Sequence, residues 1–287
     1  MKKLGVLIVN YNSSKDALNL LKSLKESRYN DFDILVWDNN SSDEYLERLE
    51  KYEGIKFARS DKNLGLTGAV NNAVDLMNNK YILLLNPDIE IDKNAINELL
   101  NIIESDEKIA FVGGTWYKFN ERDKVGAFGG KMSFFTGLGY ALKEEKNARE
   151  LKYGEYCDAC ILIFNREIFN ELGRYDNRFF AYVETEDVLF RAMKNGYKVF
   201  INPNAKVWHK CYGSSGGKKS KFAVYHMTRN RFLFMKKNVS EIRYILFLIL
   251  NFLFILPIQF ILFLFRRQFD LLVGFLKGVY NGFLGRY

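Results

Sequence analysis

The feature that most constrains the fold is an alternation of apolar strand, polar turn and helix along the first third of the chain. Strand-like apolar runs occupy residues 4–9, 32–37 and 81–85, and each is followed at once by Asn or Asp. Helical spacing of apolar residues separates these runs, first at 16–27. Because consecutive units of this kind form right-handed βαβ crossovers, the pattern predicts an α/β, Rossmann-like fold with a mostly parallel central sheet.

The run 81–85 is the centre of this pattern, since five apolar residues lead directly into Asn86-Pro87-Asp88. Pro87 lacks an N–H and fixes its own φ, so the strand ends there. Asp88 should therefore lie just past the carboxyl end of a buried strand, where open α/β sheets bind ligands. A carboxylate there suits a divalent cation that takes further ligands from a diphosphate, although it could equally only order the turn.

The second half of the chain has a less regular pattern. Further elements are predicted at 95–103 (helix), 109–117 (strand), 157–164 (strand), 188–194 (helix) and 198–201 (strand). Residues 118–155 are rich in Gly, Lys and Glu without clear periodicity, which predicts a loop or lid. Residues 203–217 are expected to be irregular.

The end of the chain differs in composition, because the 22 residues 244–265 carry no charged side chain. About 20 apolar residues cross a bilayer, so this segment predicts membrane attachment. Cationic residues flank both of its ends and give no orientation. Pro257 allows either a kinked span or a re-entrant helical hairpin. We expect a helical membrane-associating tail at 236–287 behind a folded domain at 1–235.

A second apolar helix is predicted at 269–284. Its apolar residues fall on one face, as in a helix that lies at a membrane interface: Leu272, Phe275, Leu276, Val279 and Phe283.

Composition limits the classes of partner and compartment. A hydrophobic content of 48% excludes a disordered chain. The net charge of +8 is compatible with nucleotides, phospholipid headgroups or nucleic acid. Three cysteines are too few for a disulfide framework, so a reducing, cytoplasmic-facing environment fits best.

Acidic residues cluster at a predicted helix start, where Glu184, Glu186 and Asp187 follow an aromatic stretch. Carboxylates at a helix N-terminus can simply cap the helix and offset its dipole. Neighbouring aromatic side chains would also partly desolvate the cluster and raise the pKa of a carboxyl, as a general base requires. His209, which follows Trp208, is more often structural than a ligand when taken alone.

Two other patterns are weaker. Cys157 and Cys160, with His209 and Cys211, have the residue types of a zinc site. The cysteine pair falls in a predicted strand, where positions three apart point to opposite faces, so zinc is disfavoured. The glycine-rich stretch 213–219 lacks the residue order of a phosphate loop; its lysines, with Lys221, could still close over phosphates.

Seven short motifs are spread along residues 3–235. They are Val9-Asn10-Tyr11-Asn12, Val36-Trp37-Asp38-Asn39-Asn40-Ser41-Ser42-Asp43, Asn63-Leu64-Gly65, Leu85-Asn86-Pro87-Asp88, Tyr182-x-Glu184-x-x-Asp187-x-x-x-Arg191, Trp208-His209 and Arg229-Asn230-Arg231. In this order they resemble family 2 glycosyltransferases, close to the rhamnosyltransferase-like branch.

The resemblance implies a GT-A fold that binds a nucleotide-diphospho-sugar together with Mg²⁺ or Mn²⁺. It assigns substrate binding to eight residues, of which seven belong to the motifs and one, Asn71, to the predicted helix after the third motif. They are Asn10, Asn12, Asp38, Asn63, Gly65, Asn71, Asn86 and Arg229. Within this set, Asn10 and Asp38 would hold the nucleoside, and Arg229 would approach a diphosphate or a lipid-phosphate acceptor. Asp88 would be the acidic metal ligand, with His209 as a candidate second ligand.

The resemblance also implies that the catalytic residues come from Glu184, Glu186 and Asp187. Relatives commonly carry an acidic pair at the positions of Glu184 and Thr185, and Thr185 cannot act as a base. Glu184 is then the favoured base, with Glu186 as its substitute.

The expected function is an inverting hexosyltransferase of polysaccharide biosynthesis. It would move a sugar, such as rhamnose or another hexose, to a lipid-linked or growing glycan on the cytoplasmic face of a membrane, with no nucleic-acid partner. Alternatives are a degenerate, non-catalytic nucleotide-sugar-binding protein, for which Thr185 is the warning sign, and a nucleotidyltransferase. A processive synthase is disfavoured because the chain lacks a Gln-x-x-Arg-Trp motif and has a single hydrophobic segment.

Overall fold

A computed structural model describes residues 2–143, 145–211 and 220–286. Its first part alternates strands and helices as the sequence predicts: β1 (Leu4–Asn10), α1 (Ser14–Lys25), β2 (Phe32–Asp38), α2 (Leu46–Glu50), β3 (Lys56–Arg59), α3 (Gly65–Asp75) and β4 (Tyr81–Leu85). The middle part contains β5 (Ile89–Ile91), α4 (Ala95–Ile103), β6 (Ile109–Lys118), β7 (Glu121–Ala127), β8 (Gly130–Met132), β9 (Gly139–Ala141), β10 (Arg149–Glu150), β11 (Glu155–Tyr156), β12 (Ile161–Asn165) and α5 (Arg166–Glu171). The last part contains α6 (Glu184–Lys194), β13 (Lys198–His209), α7 (Lys221–Asn238), α8 (Glu241–Leu250), a π-helical turn (Asn251–Ile255), α9 (Leu256–Phe265) and α10 (Phe269–Leu284).

The central sheet is mixed and mostly parallel, which confirms the predicted fold class. Its main strand order is β10-β13-β6-β12-β4-β1-β2-β3. Strands β3, β2, β1 and β4 are parallel to one another, and β12 runs antiparallel to both β4 and β6. The parallel strands therefore present their carboxyl ends, with the polar residues that follow them, at one edge.

Strand β4 is buried on both faces, as its apolar run predicts. Ile82 and Leu84 pack into the core that α3, α5, α6 and α7 cover. Tyr81, Leu83 and Leu85 pack into the core that α1 and α4 cover on the opposite face. Because successive side chains of a strand point to opposite faces, only an uninterrupted apolar run satisfies both cores.

Residues 118–155 do not form a structureless loop, so that prediction is wrong. Strand β7 pairs antiparallel with β6, β10 pairs with β13, and β8 forms a separate small sheet with β9 and β11. Most of these strands have only two or three residues, too few for a visible alternation. The register of β6 with β7 also shifts twice, which breaks the period of two.

Two predicted boundaries are also wrong. Strand β12 begins at Ile161, and residues 157–160 precede it outside the strand. Strand β13 does not end at Ile201 but continues to His209 after a register shift. At that irregularity the Asn202 side chain donates to the Glu98 carbonyl at 3.0 Å, and the strand then resumes.

Helix α8, the π-helical turn and α9 form one continuous helix, Glu241–Phe265. Its most apolar part has a mean hydropathy of 2.7 and is only 17% buried. Within the part of the chain that the structure describes, it is the only helix long and apolar enough to cross a membrane. The helix continues through Pro257, with a π-helical turn just before it. Many of its large apolar side chains are exposed, among them Ile242, Ile245, Leu253, Phe254, Ile261 and Phe265.

Helix α10 does not present all five of its predicted face residues to a membrane. Leu272 and Phe275 are buried in the protein, whereas Leu276 and Phe283 are exposed. Phe275 meets Phe263 with ring centroids 5.5 Å apart, so α10 folds back along the long helix.

Helix α10 also lies very close to α7. A Cβ added at Gly278 would come within 2.8 Å of the Tyr225 carbonyl oxygen, and one at Gly282 within 2.9 Å of that of Arg229. Because α7 runs across position 235, the folded domain and the tail share this helix. The division into units 1–235 and 236–287 stays a prediction.

Candidate functional site

A carboxylate–imidazole pair lies at the end of β4. Asp88 is buried, and its Oδ1 lies 3.0 Å from Nε2 of His209. The two residues are 121 positions apart, and they meet because β13 pairs with β5, with His209 opposite Ile89. His209 Nδ1 is buried and has no hydrogen-bond partner among the described residues. The pair stands where the sequence predicts a metal-binding position.

The indole ring of Trp116 connects this pair to a second carboxylate, that of Asp158. The rings of His209 and Trp116 meet edge to face with centroids 5.3 Å apart. Trp116 Nε1 donates a hydrogen bond of 2.9 Å to Oδ2 of Asp158. Asp158, which lies shortly before β12, therefore joins the same polar cluster as Asp88.

Glu184 is the first residue of α6 and is only 4% exposed. Its Oε1 accepts a 3.3 Å hydrogen bond from the Thr185 hydroxyl, and its Oε2 is buried without a partner among the residues described here. Burial raises the pKa of Glu184 to about 7, and the Asp158 carboxylate raises it further. Glu184 thus lies close enough to the Asp158 cluster for their charges to interact. A carboxyl with a pKa near neutrality matches the requirement for a general base.

Asp187, one turn of the same helix away, has the opposite environment. It is fully buried, and Arg191 Nε lies 2.9 Å and Lys237 Nζ 2.8 Å from its Oδ2. Its Oδ1 accepts a 3.0 Å hydrogen bond from Asn238. Two cations and an amide engage this carboxylate, so the geometry gives it a structural role, and a catalytic role for Asp187 has no support from its contacts.

Thr185 and Glu186 complete the acidic helix start. The Thr185 hydroxyl, besides its bond to Glu184, lies 3.5 Å from the Tyr175 hydroxyl. It is therefore placed to support Glu184, although it cannot replace a carboxylate. The Glu186 charge contributes to the raised pKa of Tyr156, whose main cause is burial. This places Glu186 near the same cluster.

The loop that leads into Glu184 has a strained backbone. Phe180, Tyr182 and Val183 have φ values of 64°, 67° and 70°. This left-handed region is unfavourable for residues with a side chain, above all for β-branched valine. Strain of this kind persists only where the surroundings hold the backbone in place.

Asn230 and Arg229 of α7 supply that restraint. Asn230 Nδ2 lies 2.8 Å from the carbonyl oxygens of Phe179 and Ala181 and 2.7 Å from that of Tyr182. Arg229 Nη2 donates to the Phe179 carbonyl at 2.9 Å. The Arg229 guanidinium therefore holds the loop, and its predicted contact with a diphosphate stays a prediction.

At the ends of β1 and β2, Asn10 and Asp38 form a buried polar network. Asn10 Nδ2 lies 2.9 Å from Asp38 Oδ1 and within 3.1 Å of the hydroxyls of Ser14 and Ser41. Asp38 Oδ2 lies 3.2 Å from Arg59 Nε. Asn10 Oδ1 is buried and unpartnered in the described part of the chain. The network brings together the two residues predicted to bind the nucleoside.

Asn12, Asn63 and Gly65 shape the adjacent turns. Asn12 Oδ1 accepts from the Ser42 N–H at 2.8 Å, and Asn63 Oδ1 from the Gly65 N–H at 2.8 Å. Gly65 has a φ of +70°, and a Cβ there would collide with the Phe180 carbonyl. Only glycine fits this close approach between the start of α3 and the strained loop.

Asn71 and Asn86 are placed differently. Asn71 Nδ2 donates to the Tyr175 carbonyl at 2.8 Å and to Asn177 Oδ1 at 2.9 Å, so its side chain holds a neighbouring loop. The Asn86 N–H donates to the Cys160 carbonyl at 3.2 Å. Substrate contacts for these two residues stay predictions.

Two weaker sequence patterns remain, the glycine-rich stretch and the cysteine pair. The glycine-rich stretch 213–219 falls outside the described residues. Cys157 and Cys160 are buried, and burial raises the pKa of both thiols, which favours the neutral thiol over the thiolate that zinc requires. Among the described residues, no group of three or more His, Cys, Asp or Glu side chains is arranged to hold a metal.

Three contributors to the site were missed from the sequence. Asp158 lies between the two cysteines in the sequence, and a lone carboxylate beside a buried apolar run is its only signal. Asn230 had a signal only as the centre of the Arg-Asn-Arg motif. Trp116 had none, because its contact with His209 depends on strand pairing.

A mixed, mostly parallel α/β sheet with polar residues after the carboxyl ends of its strands is typical of the GT-A fold. Solved structures share this fold. A Pyrobaculum calidifontis mannosyltransferase, PcManGT, in complex with GDP-Man and Mn²⁺, superposes with a TM-score of 0.63 at 11% identity, covering 100% of this chain and 88% of that one. Residues 1–349 of Staphylococcus aureus TarS superpose with a TM-score of 0.55 at 15% identity, covering 88% and 72%.

The model of "Glycosyl transferase family 2" matches residues 5–173, and the chain belongs to this glycosyltransferase family. A Haloferax volcanii protein, "Low-salt glycan biosynthesis hexosyltransferase Agl10", is 25% identical over 253 residues, which are 84% of this chain and 79% of that protein. A Mycobacterium tuberculosis "N-acetylglucosaminyl-diphospho-decaprenol L-rhamnosyltransferase" is 23% identical over 258 residues, covering 80% and 83%.

Proposed function

We propose that this protein is an inverting glycosyltransferase that moves a sugar from a nucleotide-diphospho-sugar to a hydroxyl group of a lipid-linked glycan. The observation that carries the proposal is the pair of contrasting acidic positions. Asp88 is paired with His209 at the end of β4. Glu184, at the start of α6, is buried, has a raised pKa and keeps one oxygen without a partner among the residues that the structure describes. Inverting transfer requires one position where the charge of the departing diphosphate is neutralised. It also requires a separate carboxylate that takes the proton of the acceptor hydroxyl.

A divalent metal fits the first position. Asp88 Oδ1 and His209 Nε2 are adjacent, and His209 Nδ1 has no partner among the described residues. A carboxylate and an imidazole leave most coordination positions to water and a diphosphate, as Mg²⁺ and Mn²⁺ prefer. Such an ion would neutralise the charge of the departing diphosphate. The relative solved with GDP-Man and Mn²⁺ supports this part of the proposal by its fold alone.

Glu184 is the proposed base. Its Oε2, which has no partner among the described residues, accepts the proton of the acceptor hydroxyl. The hydroxyl oxygen attacks the anomeric carbon in line at the same time. Thr185 holds the other oxygen, Oε1, so the carboxyl keeps one orientation. Glu186 is the substitute, and Asp187 remains the weakest of the three because its carboxylate is engaged by Arg191 and Lys237.

The polar edge at the ends of β1 and β2 is the proposed nucleoside site. Asn10 has a buried carbonyl oxygen without a partner in the described part of the chain, which a base or ribose donor would satisfy. Asp38 lies 2.9 Å from the amide of the same residue. We place Asn12, Asn63 and Gly65 in the turns that bound this site.

The acceptor is proposed to be lipid-linked and membrane-borne. The long apolar helix with its exposed side chains supports attachment to a membrane. Two relatives are named as a glycan-biosynthesis hexosyltransferase and an N-acetylglucosaminyl-diphospho-decaprenol rhamnosyltransferase. Free cysteines fit a catalytic domain on the cytoplasmic face.

A nucleotide-sugar screen tests the proposal. Thermal unfolding of the full chain in detergent is measured with each nucleotide-sugar, with and without Mn²⁺ or Mg²⁺. We expect metal-dependent stabilisation by one donor and slow metal-dependent hydrolysis of the same donor, both lost in Asp88→Asn. Donor binding without hydrolysis or transfer in the unmutated protein would instead favour a degenerate binding protein.

A further inference from the structure

Arg231 is a buried cation without a counter-ion among the described residues. Its side chain belongs to α7, next to Asn230, and the residue is 6% exposed. Its Nε and Nη2 are buried, and neither has a hydrogen-bond partner within the described residues. Burial alone lowers the pKa of Arg231, to about 10, so the guanidinium is still charged at neutral pH. A buried charge with free N–H groups is costly unless an anion joins it.

The surroundings of Arg231 show where such an anion would come from. The stem of Arg231 packs against the turn between β8 and β9, since a Cβ on Gly137 would lie 2.6 Å from Arg231 Cγ. The long tail helix reaches the same turn, because Asn251 Nδ2 lies 3.4 Å from the Thr136 carbonyl oxygen. Asn251 is fully buried, and its Oδ1 also has no partner in the described part of the chain.

An exposed apolar surface begins beside these polar groups. It includes exposed side chains of the turn and of the π-helical segment: Phe135, Leu138, Phe252, Leu253 and Phe254. A buried cation at the edge of an apolar surface is complementary to an amphiphile with a phosphate head and a hydrocarbon chain.

We propose that Arg231 binds a phosphate group of the membrane-borne acceptor, while the surface beside Phe135 and Leu253 contacts the lipid chain. The proposal rests on the function proposed above and names the part of the acceptor that the protein recognises. Arg231 adjoins Asn230, which holds the loop before Glu184, so one helix contacts the acceptor and positions the base.

Phosphate could also be supplied by the diphosphate of the donor. The position between the turn and the tail favours the lipid as the source, and the test separates the two. Farnesyl diphosphate serves as the soluble lipid-phosphate probe, farnesol as the same chain without phosphate, and UDP, GDP and dTDP as donor fragments. Binding is followed by thermal unfolding of the full-length protein in detergent.

Arg231→Met keeps the stem and removes the charge, and Lys236→Met removes an exposed charge from the same helix as a matched control. We expect farnesyl diphosphate, but not farnesol, to stabilise the wild type and Lys236→Met. Arg231→Met should bind farnesyl diphosphate at least about tenfold more weakly, since charged hydrogen bonds are lost. Its binding of nucleoside diphosphate should be unchanged. Without ligand, it should unfold at the same or a higher temperature, because no native partner is lost.

Equal binding of farnesyl diphosphate by Arg231→Met and wild type would overturn the proposal. Loss of nucleoside diphosphate binding alone would assign the phosphate to the donor and overturn it as well. If Arg231→Met does not fold, Arg231→Lys replaces it: the charge stays but the planar fork is lost, so several-fold weaker binding is expected and equal binding refutes the site. None of these readouts requires turnover, so a chain that binds lipid phosphate through Arg231 yet transfers no sugar would refute only the proposed function.

Discussion

Replacing Glu184 by Gln removes a proton acceptor and changes almost no volume. In the folded protein, burial raises the pKa of Glu184 from its ordinary value of 4.5 to about 7. Below pH 4.5 the carboxyl is neutral in both the folded and the unfolded chain. Between pH 4.5 and 7 the unfolded chain ionises this carboxyl while the folded chain keeps it neutral, so the folded state loses stability across this range. Above pH 7 both states are ionised and the loss is complete.

The pKa rise corresponds to about 3 kcal/mol of unfolding free energy. Glu184→Gln is therefore expected to be more stable than wild type by about 3 kcal/mol at pH 8 and by only about 1 kcal/mol at pH 5. Transfer should fall by a factor of about 10² to 10⁴, the usual contribution of a general base. In the wild type, kcat/KM should rise with pH and level off above pH 7, because only the ionised carboxyl accepts a proton.

Denaturant unfolding at both pH values and transfer assays between pH 5.5 and 8.5 measure these effects in the same detergent. Glu186→Gln is the matched control on the same helix, and it should keep both the pH profile and most of the activity. A variant at 184 that stays fully active, or that gains equal stability at both pH values, would contradict the reasoning. If Glu186→Gln inactivated the enzyme and Glu184→Gln did not, Glu186 would be the base in place of Glu184.

Four further outcomes are expected. Asp88→Asn should lose metal-dependent donor hydrolysis by at least about a hundredfold, measured by release of nucleoside diphosphate at varied Mn²⁺. Asp187→Asn should lower the unfolding free energy by about 3 kcal/mol in urea, since two cations lose their partner; unchanged stability would contradict its structural role. Asn230→Leu should lower kcat more than the donor KM, because the loop before the base is released; a change in KM alone would refute the positioning role. Polar replacement of exposed Leu253 and Ile261 should weaken sedimentation with lipid vesicles without lowering the unfolding temperature, and undiminished sedimentation would argue against membrane contact through this helix.

The fold was largely predictable because its main strands carry a local signal. The apolar runs of β1, β2 and β4 are long enough to show burial on both faces, and the polar residues after them mark one edge. The region 118–155 was not predictable in the same way. Its short strands and irregular pairings leave no period to read.

For the candidate site, the sequence predicted which residue types gather at the sheet edge but not how each is used. Asn71 and Arg229 were expected to contact substrate, and the structure shows their side chains bonded to protein backbone. Asp158 contacts the Asp88–His209 pair through Trp116, which meets His209 because β6 pairs with β13. Hydrogen-bond partners of this kind depend on strand register, which the spacing of residues along the sequence does not reveal.

By itself, the sequence determined the alternation of strands and helices, the position of Asp88 after a buried strand and the apolar character of the tail, because these follow from local residue patterns. Only the tertiary structure decided that Asp88 meets His209 from 121 positions away. It also decided that one buried oxygen of Glu184 has no partner within the described chain, while Asp187, on the same helix, is held by two cations. Burial and charge pairing arise from the packing of separate elements, and that packing gives two carboxyls of one helix opposite environments.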